Sequence, residues 1–422
     1  MSNSGNDFAV DVLIIGAGLV GASLACALST LVSQHGLRLA LVERHDLQQP
    51  GDTPPSFDAR ASALSWGTRC IYDRLGLWTE LHDRAQAISS VHVSDRGHFG
   101  IARLHAAEQD VPALGEQDVP ALGYVVNNHH LGDVLLKRLL ELYTRGAVNL
   151  LSPQAVKRLR PIPGGMKVQL NSGEVSASLV VVADGGRSDL PEQLGIGVKQ
   201  TDYQQHAVIA NIALDRPHGG TAWERFAGQG PVALLPLVGD DAFAHRSALV
   251  WTVPNQEIER VNRLTDDEFL AVVQERFGNR AGRFLAVGKR DSYPLSMRLA
   301  REQVRPGLVI LGNAAHAIHP VAGQGYNLSM RDTMALAENI SASFIGQQPV
   351  GDLGRLMAYQ RQQHRDQSLV SAGCNGLVNL FARTDGVSVL ARNLGLVAFD
   401  YCRPLKSAFT RKAMGEGFYA DI

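Results

Sequence analysis

The feature that most limits what this chain can fold into is a glycine-rich turn between a strand and a helix near its N-terminus. Phe8–Ile15 is an almost continuous apolar run, typical of a strand buried on both faces of a parallel sheet. A G-x-G-x-x-G motif follows at once, with its glycines at Gly16, Gly18 and Gly21. Because residues 22–33 then favour a helix, the segment predicts the first unit of a dinucleotide-binding domain.

Each glycine of this turn has its own expected role. Gly16 allows a tight turn, Gly18 lets the backbone approach a pyrophosphate, and Gly21 lets the helix pack closely on the strand. The N-terminus of the helix presents unpaired N–H groups and a positive dipole end to that phosphate. A second predicted strand, 37–42, ends at Glu43, where a carboxylate can bind the hydroxyl groups of an adenosine ribose. The alternative is a purely structural turn with Glu43 in solvent.

Composition, charge and cysteine spacing exclude other classes of protein. The chain has 40 Lys and Arg against 41 Asp and Glu, so its net charge of -1 gives no general attraction to nucleic acid. Its four cysteines form no C-x-x-C pair, so we expect buried thiols and no metal site. The uncharged stretch 12–32 lacks the basic segment that precedes the apolar part of a signal peptide. We therefore expect a cytoplasmic protein.

Two later segments repeat the pattern of a buried strand that runs into a polar loop. Residues 177–183 predict a strand that is followed by Asp184 and Gly185. Residues 307–313 predict another strand, which ends in Gly312 and Asn313. We expect one dinucleotide site that is assembled from three distant parts of the chain.

A loop and a helix follow the third predicted strand. Residues 319–327 read HPVAGQGYN, and a helical pattern continues over 328–340. A helix that begins near Gly325 points its positive end at this loop, while Gly323 and Gly325 let backbone N–H groups come close to a ligand. Because a reduced flavin is an anion at neutral pH, this arrangement favours FAD over NAD as the tightly bound cofactor.

The three segments together resemble those of the class A flavoprotein aromatic hydroxylases, which are related in fold to p-hydroxybenzoate hydroxylase. Within that family, the 319–327 motif and the Arg331-Asp332 pair are similar to the signature of the ubiquinone-biosynthesis hydroxylases. Further segments are similar to those of one group in that family: 58–61, 91–98, 224–231 and 235–237. The resemblance spans nearly the whole chain.

Two positions depart from the pattern of that family. Asn313 stands where the family usually has Asp. Asparagine keeps an acceptor oxygen for a ribityl hydroxyl but lacks the charge of aspartate. Ser329 stands where the signature usually has Gly, and its side chain is small. We expect both residues to be compatible with a bound cofactor.

The resemblance implies an α/β fold. A Rossmann-like FAD-binding domain of the p-hydroxybenzoate hydroxylase type is expected to carry an antiparallel-sheet substrate domain and a helical C-terminal part. The expected ranges are 1–75, 125–190 and 285–345 for the FAD-binding domain, 76–124 and 191–284 for the substrate domain, and 346–422 for the helical part.

The resemblance also implies an FAD-dependent aromatic monooxygenase. NAD(P)H would reduce the flavin, and one atom of O2 would be transferred to a phenolic ring that carries a polyprenyl chain. The further expected partners are a membrane surface, namely that of the inner membrane, and other quinone-biosynthesis proteins. A prenyl-chain reductase that uses no O2, a flavin halogenase and a non-catalytic FAD-bound scaffold are the alternatives.

Candidate site residues fall into three groups. The residues expected to bind the cofactor are Gly16, Gly18, Gly21, Glu43, Arg44, Arg60, Asp184, Gly185, Gly312, Asn313 and Asn327. The residues expected along the flavin ring are Pro320, Gly323, Gln324 and Gly325. The residues that could line an aromatic substrate pocket, on predicted strands of the second domain, are Phe226, Pro231, Leu234 and Pro236. The last four could equally be ordinary core residues of that sheet.

His316, His319 and Asp332 invite a catalytic or metal-binding interpretation because they lie beside the cofactor loop. No third ligand stands nearby at metal spacing, so we predict structural hydrogen bonds for the two histidines. Asp332 is expected to cap or solvate its helix. The octapeptide EQDVPALG occurs twice in succession, at 108–115 and 116–123, and predicts a surface loop without an assigned function.

The C-terminal part alternates apolar runs with basic residues. The basic residues after 376 are Arg383, Arg392, Arg403, Lys406, Arg411 and Lys412. Apolar faces with a basic excess predict a pair of helices at an anionic membrane surface. An ordinary docking subdomain is the alternative.

Overall fold

The computed structural model describes residues 8–49, 51–58, 60–108, 120–228 and 230–415. The strands in these residues are β1 (Phe8–Ile15), β2 (Leu39–Val42), β3 (Ala61–Ser65), β4 (Gln86–Ile88), β5 (Ser90–Asp95), β6 (Ile101–His105), β7 (Gly123–Asn127), β8 (Asn149–Leu151), β9 (Val156–Ile162), β10 (Gly165–Leu170), β11 (Glu174–Val182), β12 (Val198–Leu214), β13 (Thr221–Phe226), β14 (Pro231–Leu237), β15 (Arg246–Pro254), β16 (Phe284–Val287), β17 (Asp291–Ala300), β18 (Val304–Arg305), β19 (Leu308–Ile310) and β20 (His316–Ala317). The helices are α1 (Leu19–His35), α2 (Trp66–Arg74), α3 (Trp78–Leu81), α4 (Asn128–Thr144), α5 (Leu190–Gln193), α6 (Asn255–Arg263), α7 (Asp266–Phe277), α8 (Gln324–Ile345), α9 (Leu353–Ala382), α10 (Gly386–Tyr401) and α11 (Arg403–Ala413).

The first sheet is mostly parallel and contains the strands predicted around the glycine-rich turn. Its order is β18-β19-β11-β1-β2-β8, and β9 and β10 add an antiparallel hairpin beside β11. β1 is apolar along its length because both of its faces are covered. Val12 and Ile14 pack into the core that contains α1 and α8, while Leu13 and Ile15 lie in the core on the opposite face. The predicted buried strand 8–15 is confirmed as β1.

The second sheet is antiparallel except where β13 pairs with β5. Its order is β20-β17-β12-β15-β14-β13-β5-β6, with β16 beside β12. One face packs against α6 through Val261 and against α7 through Phe269 and Phe277. The other face, which carries Ile209 and Val250, lines a cavity between this sheet and the first one. Sequence patterns predicted its strands in 207–253 but gave no sign of α6 and α7.

A small sheet, β3-β7-β4, completes the layers. β17 and β20 lie within 285–345, the range expected for the FAD-binding domain, yet both pair into the second sheet. Residues 109–119 lie outside the described residues, and they hold the first EQDVPALG copy from its second residue onward and the start of the second copy. The end of the second copy corrects the surface-loop prediction, because Ala121 and Leu122 are buried and Gly123 begins β7.

α10 has an inverted distribution of side chains. Its buried residues are Arg392 and Asn393, and both hydrogen-bond to Asp95 at the end of β5. Arg392 Nε and Asn393 Nδ2 lie 2.8 Å and 2.9 Å from Asp95 Oδ2. The side chains that α10 exposes at helical spacing are apolar: Val387, Leu390, Leu394 and Ala398. The helix therefore turns polar groups toward the protein and apolar groups toward the outside.

Two of the six C-terminal basic residues are not on the surface, contrary to the sequence-based count. Arg392 forms the ion pair with Asp95, and Lys406 Nζ lies 2.8 Å from Glu108 Oε2 with its side chain 9% exposed. Charged residues are almost never fully buried unless they are paired, and both partners lie far away in the sequence. In the part of the chain that the structure describes, no helix combines the length and the hydropathy that crossing a bilayer requires.

Candidate active site

A cavity of about 710 Å³ lies where β1, β2, β11 and β19 end. This is the edge at which open α/β sheets bind their ligands. The predicted site residues that line it come from all three distant segments: Gly16, Gly18, Glu43, Arg44, Arg60, Asp184, Gly185, Asn313, Pro320, Gly323 and Gly325. The structure therefore brings most of the predicted cofactor residues together around one space.

The glycines of the turn differ in what surrounds them. Gly16 has a φ of 101°, and a Cβ there would lie 2.8 Å from the carbonyl oxygen of Ala183. A Cβ at Gly21 would lie 1.9 Å from the carbonyl oxygen of Gly16, so this residue lets α1 pack on β1. Gly312, with a φ of 65°, faces the side chain of Val20 in the same way. Gly18 lines the cavity, and a Cβ there would meet only the side chain of Ser56, with Oγ at 2.9 Å.

Glu43 is buried at the end of β2 and is held by backbone N–H groups. Its Oε2 accepts from Ala17 at 2.7 Å, and its Oε1 accepts from Arg44 at 2.9 Å and from His45 at 3.1 Å. Each carboxylate oxygen has two lone pairs, so acceptor capacity remains for a ligand. The carboxylate thus fixes the glycine turn and faces the cavity at the same time.

Three guanidinium groups converge on the cavity: Arg44, Arg60 and Arg187. Arg60 Nε lies 2.6 Å from Asp58 Oδ2, and its guanidinium lies over the ring of Tyr293 at 5.2 Å. Burial, followed by the charges of Arg60 and Arg44, lowers the pKa of Arg187. Sequence reasoning named the other two arginines but missed Arg187, although it directly follows the Asp-Gly-Gly run. A glycine turn, a carboxylate and this positive cluster form a donor set that fits a dinucleotide with a pyrophosphate.

The loop before α8 is held by Asn327. Its Nδ2 donates to the carbonyl oxygens of Ala63 and Gly323 at 2.9 Å and 3.0 Å, and its Oδ1 accepts from the N–H of Ser65 at 2.8 Å. Both amide hydrogens are therefore used within the protein. Gly323, with a φ of 61°, turns the chain into α8.

His316 and Asp332 form a buried pair beneath this loop. His316 Nε2 lies 2.5 Å from Asp332 Oδ2, which also accepts from Gln367 of α9 at 2.9 Å. Asp332 is 1% exposed, so the expectation that it caps or solvates its helix is wrong. The sequence did not indicate that α9 packs over this side of α8. Among the described residues, no group of three or more His, Cys, Asp or Glu side chains is arranged to hold a metal ion.

A second cavity, of about 160 Å³, adjoins the first one. The two share five lining residues, which are Ala63, Leu235, Val250, Pro320 and Gly323. Most of the other residues that line it are apolar, and they include Ala413 at the end of α11 and Met414 directly after it. Glu224, His319, Gln324 and Asn327 also lie on its wall.

The predicted substrate-pocket residues are only partly at this cavity. Pro231 lines it, and Phe226 stacks on Phe381 of α9 with 3.6 Å between ring centroids. Leu234 lies in the core beside α7, and Pro236 has the same parity in β14, so both point away from the cavity. Ala233 and Leu235 line it instead. β14 is apolar on both faces, which hid the alternation from sequence reasoning.

Comparisons with known proteins agree with this arrangement. A sequence model of a family described as an FAD binding domain matches residues 9–368. The ubiquinone hydroxylase UbiL of Rhodospirillum rubrum is 36% identical over 411 residues, which cover 97% of this chain and 90% of that protein. This chain belongs to the FAD-dependent hydroxylases of ubiquinone biosynthesis. The 3-demethoxyubiquinol 3-hydroxylase of Escherichia coli is 30% identical, over 96% of this chain and 98% of that protein.

Solved structures extend the likeness to the fold. The p-nitrophenol 4-monooxygenase PnpA of Pseudomonas putida DLL-E4 superimposes with a TM-score of 0.75, over 96% of this chain and 98% of that chain, at 17% identity. The predicted family and α/β fold class are confirmed, and so is the FAD-dependent aromatic monooxygenase activity with NAD(P)H as co-substrate. When bound, FAD supplies the redox chemistry of such a hydroxylase, namely the uptake of electrons from NAD(P)H and the activation of O2. The protein has to bind the cofactor and the substrate, orient them relative to each other, and exclude water from the site.

Proposed function

We propose that this hydroxylase inserts one atom of O2 into a phenolic ring that carries a polyprenyl chain. The observation that carries this proposal is the small, mostly apolar cavity that adjoins the cofactor cavity at Pro320 and Gly323. A ring held there lies next to the loop along which the flavin ring is expected. The surrounding apolar side chains exclude water from the reacting groups.

The size of the second cavity limits what can enter it. Its volume of about 160 Å³ is close to that of an engineered cavity of ~150 Å³ that binds benzene. One aromatic ring therefore fits, and a polyprenyl chain has to lie elsewhere. Ala413 of α11 and Met414, which directly follows it, form one wall, and the preceding turns of that helix expose Leu405 and Phe409. These exposed apolar side chains support a route for the polyprenyl chain of the substrate toward the C-terminal helices.

The substrate can be proposed more narrowly from the sequence. Segments 58–61, 91–98, 224–231 and 235–237 are similar to those of 2-octaprenyl-6-methoxyphenol hydroxylase. This similarity supports a methoxyphenol as the ring.

The test is to incubate the FAD-loaded protein with NADPH or NADH and a set of prenylated phenols and methoxyphenols. Oxygen uptake that matches NAD(P)H oxidation, together with a hydroxylated product identified by mass spectrometry, is expected. NAD(P)H oxidation without oxygen uptake would identify a prenyl-chain reductase instead. A protein that binds FAD and turns over none of these compounds would be a scaffold.

The placement of the cofactor is also a proposal. We propose that the pyrophosphate lies between the N-terminus of α1 and the arginine cluster, and that Glu43 binds the adenosine ribose. The flavin ring is proposed to lie along Pro320, Gly323, Gln324 and Gly325. Gly18 and Arg60 both line the larger cavity, which supports this placement of the pyrophosphate.

Replacing Glu43 by alanine is expected to weaken FAD binding by about 10- to 100-fold, because hydrogen bonds to charged groups contribute ~1.5–3 kcal/mol. The variant should also lose some stability, since three backbone N–H groups lose their acceptor. Measuring the fluorescence of FAD released on dilution gives the dissociation constant. Glu259→Ala, on a side chain that is 82% exposed, is the control. Full flavin occupancy of Glu43→Ala after dilution would refute the ribose assignment.

We propose that the C-terminal helices place the enzyme on an anionic membrane. The exposed face of α10 is apolar, and its polar residues Arg392 and Asn393 point inward. In water, this arrangement leaves apolar area exposed that burial in a lipid interface would remove, at about 25 cal/mol per Å². Arg383, Arg403 and Lys412 in the same C-terminal segment are exposed and would supply the attraction to anionic lipid.

Leu390→Asp combined with Leu394→Asp is expected to abolish most binding to anionic phospholipid vesicles. Both side chains are more than half exposed, 54% and 53%, so the fold and the FAD content should be unaffected. Vesicle sedimentation at low salt measures the binding. The control is Leu285→Asp, on a similarly exposed leucine of β16, which should bind vesicles like the unmodified protein. If the double variant sediments as well as the control does, the face is a docking surface for a protein.

A further inference from the structure

Glu224 occupies an unusual position on the wall of the smaller cavity. It lies in the middle of β13, on the same face as Ala222 and Phe226, and is half-buried. Its neighbours across the strand pairs are Val93 of β5 and Ala233 of β14, which carry no charge. Within the described part of the chain, its carboxylate has no hydrogen bond or ion pair. An unpaired acid in a mostly apolar cavity points to a ligand that carries a proton or a donor.

His319 is a second polar residue that lines this cavity. It is 2% exposed, and its Nδ1 accepts from the N–H of Val321 at 3.1 Å. The hydrogen of the neutral ring is therefore on Nε2. Burial lowers the pKa of His319 to about 4, so the ring is neutral at pH 7. Nε2 is buried and has no hydrogen-bond partner among the described residues.

We propose that Glu224 is a catalytic residue that accepts the hydrogen bond, and then the proton, of the substrate's phenolic hydroxyl, while His319 positions the ring by donating from Nε2 to a second ring oxygen. This inference rests on the proposed function. The O–H bond breaks, its electron pair stays on the phenolic oxygen and enriches the ring, and a new O–H bond forms on Glu224. The proton leaves in the water that contains the second atom of O2. The ring hydrogen displaced by the new hydroxyl restores the phenol.

Glu224 has to be ionised to act in this way, and burial raises its pKa to about 7. The titratable groups near it are His319, which lines the same cavity, and Cys374 of α9. Burial, followed by the charge of Glu224, raises the pKa of Cys374 to about 11, so this thiol is neutral. Asp95 lies on the same face of β5, and its charge is paired with Arg392. The ionised fraction of Glu224 therefore falls as the pH falls through about 7.

Glu224→Gln and Glu224→Asp test the proposal in the FAD-loaded protein, with Glu259→Gln on the surface as the matched control. The substrate is 2-methoxyphenol with a farnesyl chain. For the unmodified protein, kcat/KM is expected to fall about tenfold for each pH unit below about 7, and E224Q should remove this dependence. At about pH 8, E224Q should lower kcat/KM by about 100-fold, whereas E224D should restore part of it and keep the pH dependence.

A measurement without turnover separates binding from chemistry. In the absence of NAD(P)H, the dissociation constant of the same phenol, followed by flavin fluorescence, should rise below about pH 7 in the unmodified protein and not in E224Q. His319→Phe should weaken binding about tenfold at every pH, and His319→Gln, which keeps a donor, should restore it. An E224Q variant with the pH dependence of the unmodified protein would overturn the proposal. If the unmodified protein hydroxylates no prenylated phenol at all, the proposed function fails instead.

Discussion

Gly18→Val should purify as a folded, colourless protein. The backbone at Gly18, with φ -65° and ψ -178°, is one that any residue adopts. Among the described residues, a Cβ there would come within 3.0 Å only of Ser56 Oγ, at 2.9 Å, and this side chain can rotate away. The apoprotein therefore tolerates valine, but a pyrophosphate at the N-terminus of α1 would lie against the added methyl groups. Absorbance of the flavin relative to protein measures the loss, which we expect to be complete.

Substitutions at two other glycines distinguish a specific loss of FAD binding from a general effect of replacing glycine by valine. At Gly21 the same substitution should prevent folding, because its Cβ would lie 1.9 Å from a backbone oxygen of the turn. Gly373→Val in α9, where no described atom beyond the adjoining backbone of the helix lies within 4 Å of the Cβ, should leave both colour and circular dichroism unchanged. A yellow Gly18→Val protein with the flavin ratio of the unmodified chain would place the pyrophosphate elsewhere.

Asp95→Ala is expected to lower the free energy of unfolding by about 3–5 kcal/mol, since it leaves a buried guanidinium without its partner. The side chains of Asp95 and Arg392 are 3% and 6% exposed, and their ion pair at 2.8 Å joins β5 to α10. Asn393 Nδ2 and His98 Nδ1 also lose their contact with the carboxylate. Urea unfolding measures the change. Limited proteolysis should at the same time show cleavage within α10.

A surface pair provides the comparison for Asp95. Asp73 is 53% exposed and lies 3.2 Å from Arg69. Asp73→Ala should lower the free energy of unfolding by less than about 1 kcal/mol. The double variant Asp95→Ala with Arg392→Met should recover part of the loss, because no charge then stays buried. If Asp95→Ala is no less stable than Asp73→Ala, the buried pair does not hold α10 in place.

The parts that sequence predicted well are those where local pattern and burial agree. β1 begins and ends as predicted because a strand covered on both faces is apolar throughout, and the glycine spacing located the turn after it. The three cofactor segments could be assigned to one site because each places a polar residue directly after a buried strand. The carboxyl ends of parallel strands then meet at one edge of the sheet.

The parts that sequence missed depend on contacts between distant residues. The sequence-based interpretation treated Arg392 as a charge in solvent, because no residue near it in the sequence indicates its ion pair with Asp95. The prediction that Leu234 points into the substrate pocket was wrong. Both faces of β14 are buried, so no alternation of polar and apolar residues indicated which side chains face the cavity. Glu224 was visible as part of a motif, but its position on the wall of a cavity follows only from the pairing of β13 with β5 and β14.

The wall that α11 contributes to the smaller cavity has a consequence for the order of events during synthesis. Every residue that lines the larger cavity precedes Met330, whereas the smaller cavity also requires Thr410, Ala413 and Met414. Domains generally fold in order as the chain leaves the ribosome. With FAD and the substrate ring placed as proposed, a nascent chain would complete the cofactor site before the smaller cavity closes. A flavin reduced in that interval would have no substrate ring beside it, so productive turnover would require that α11 has already docked.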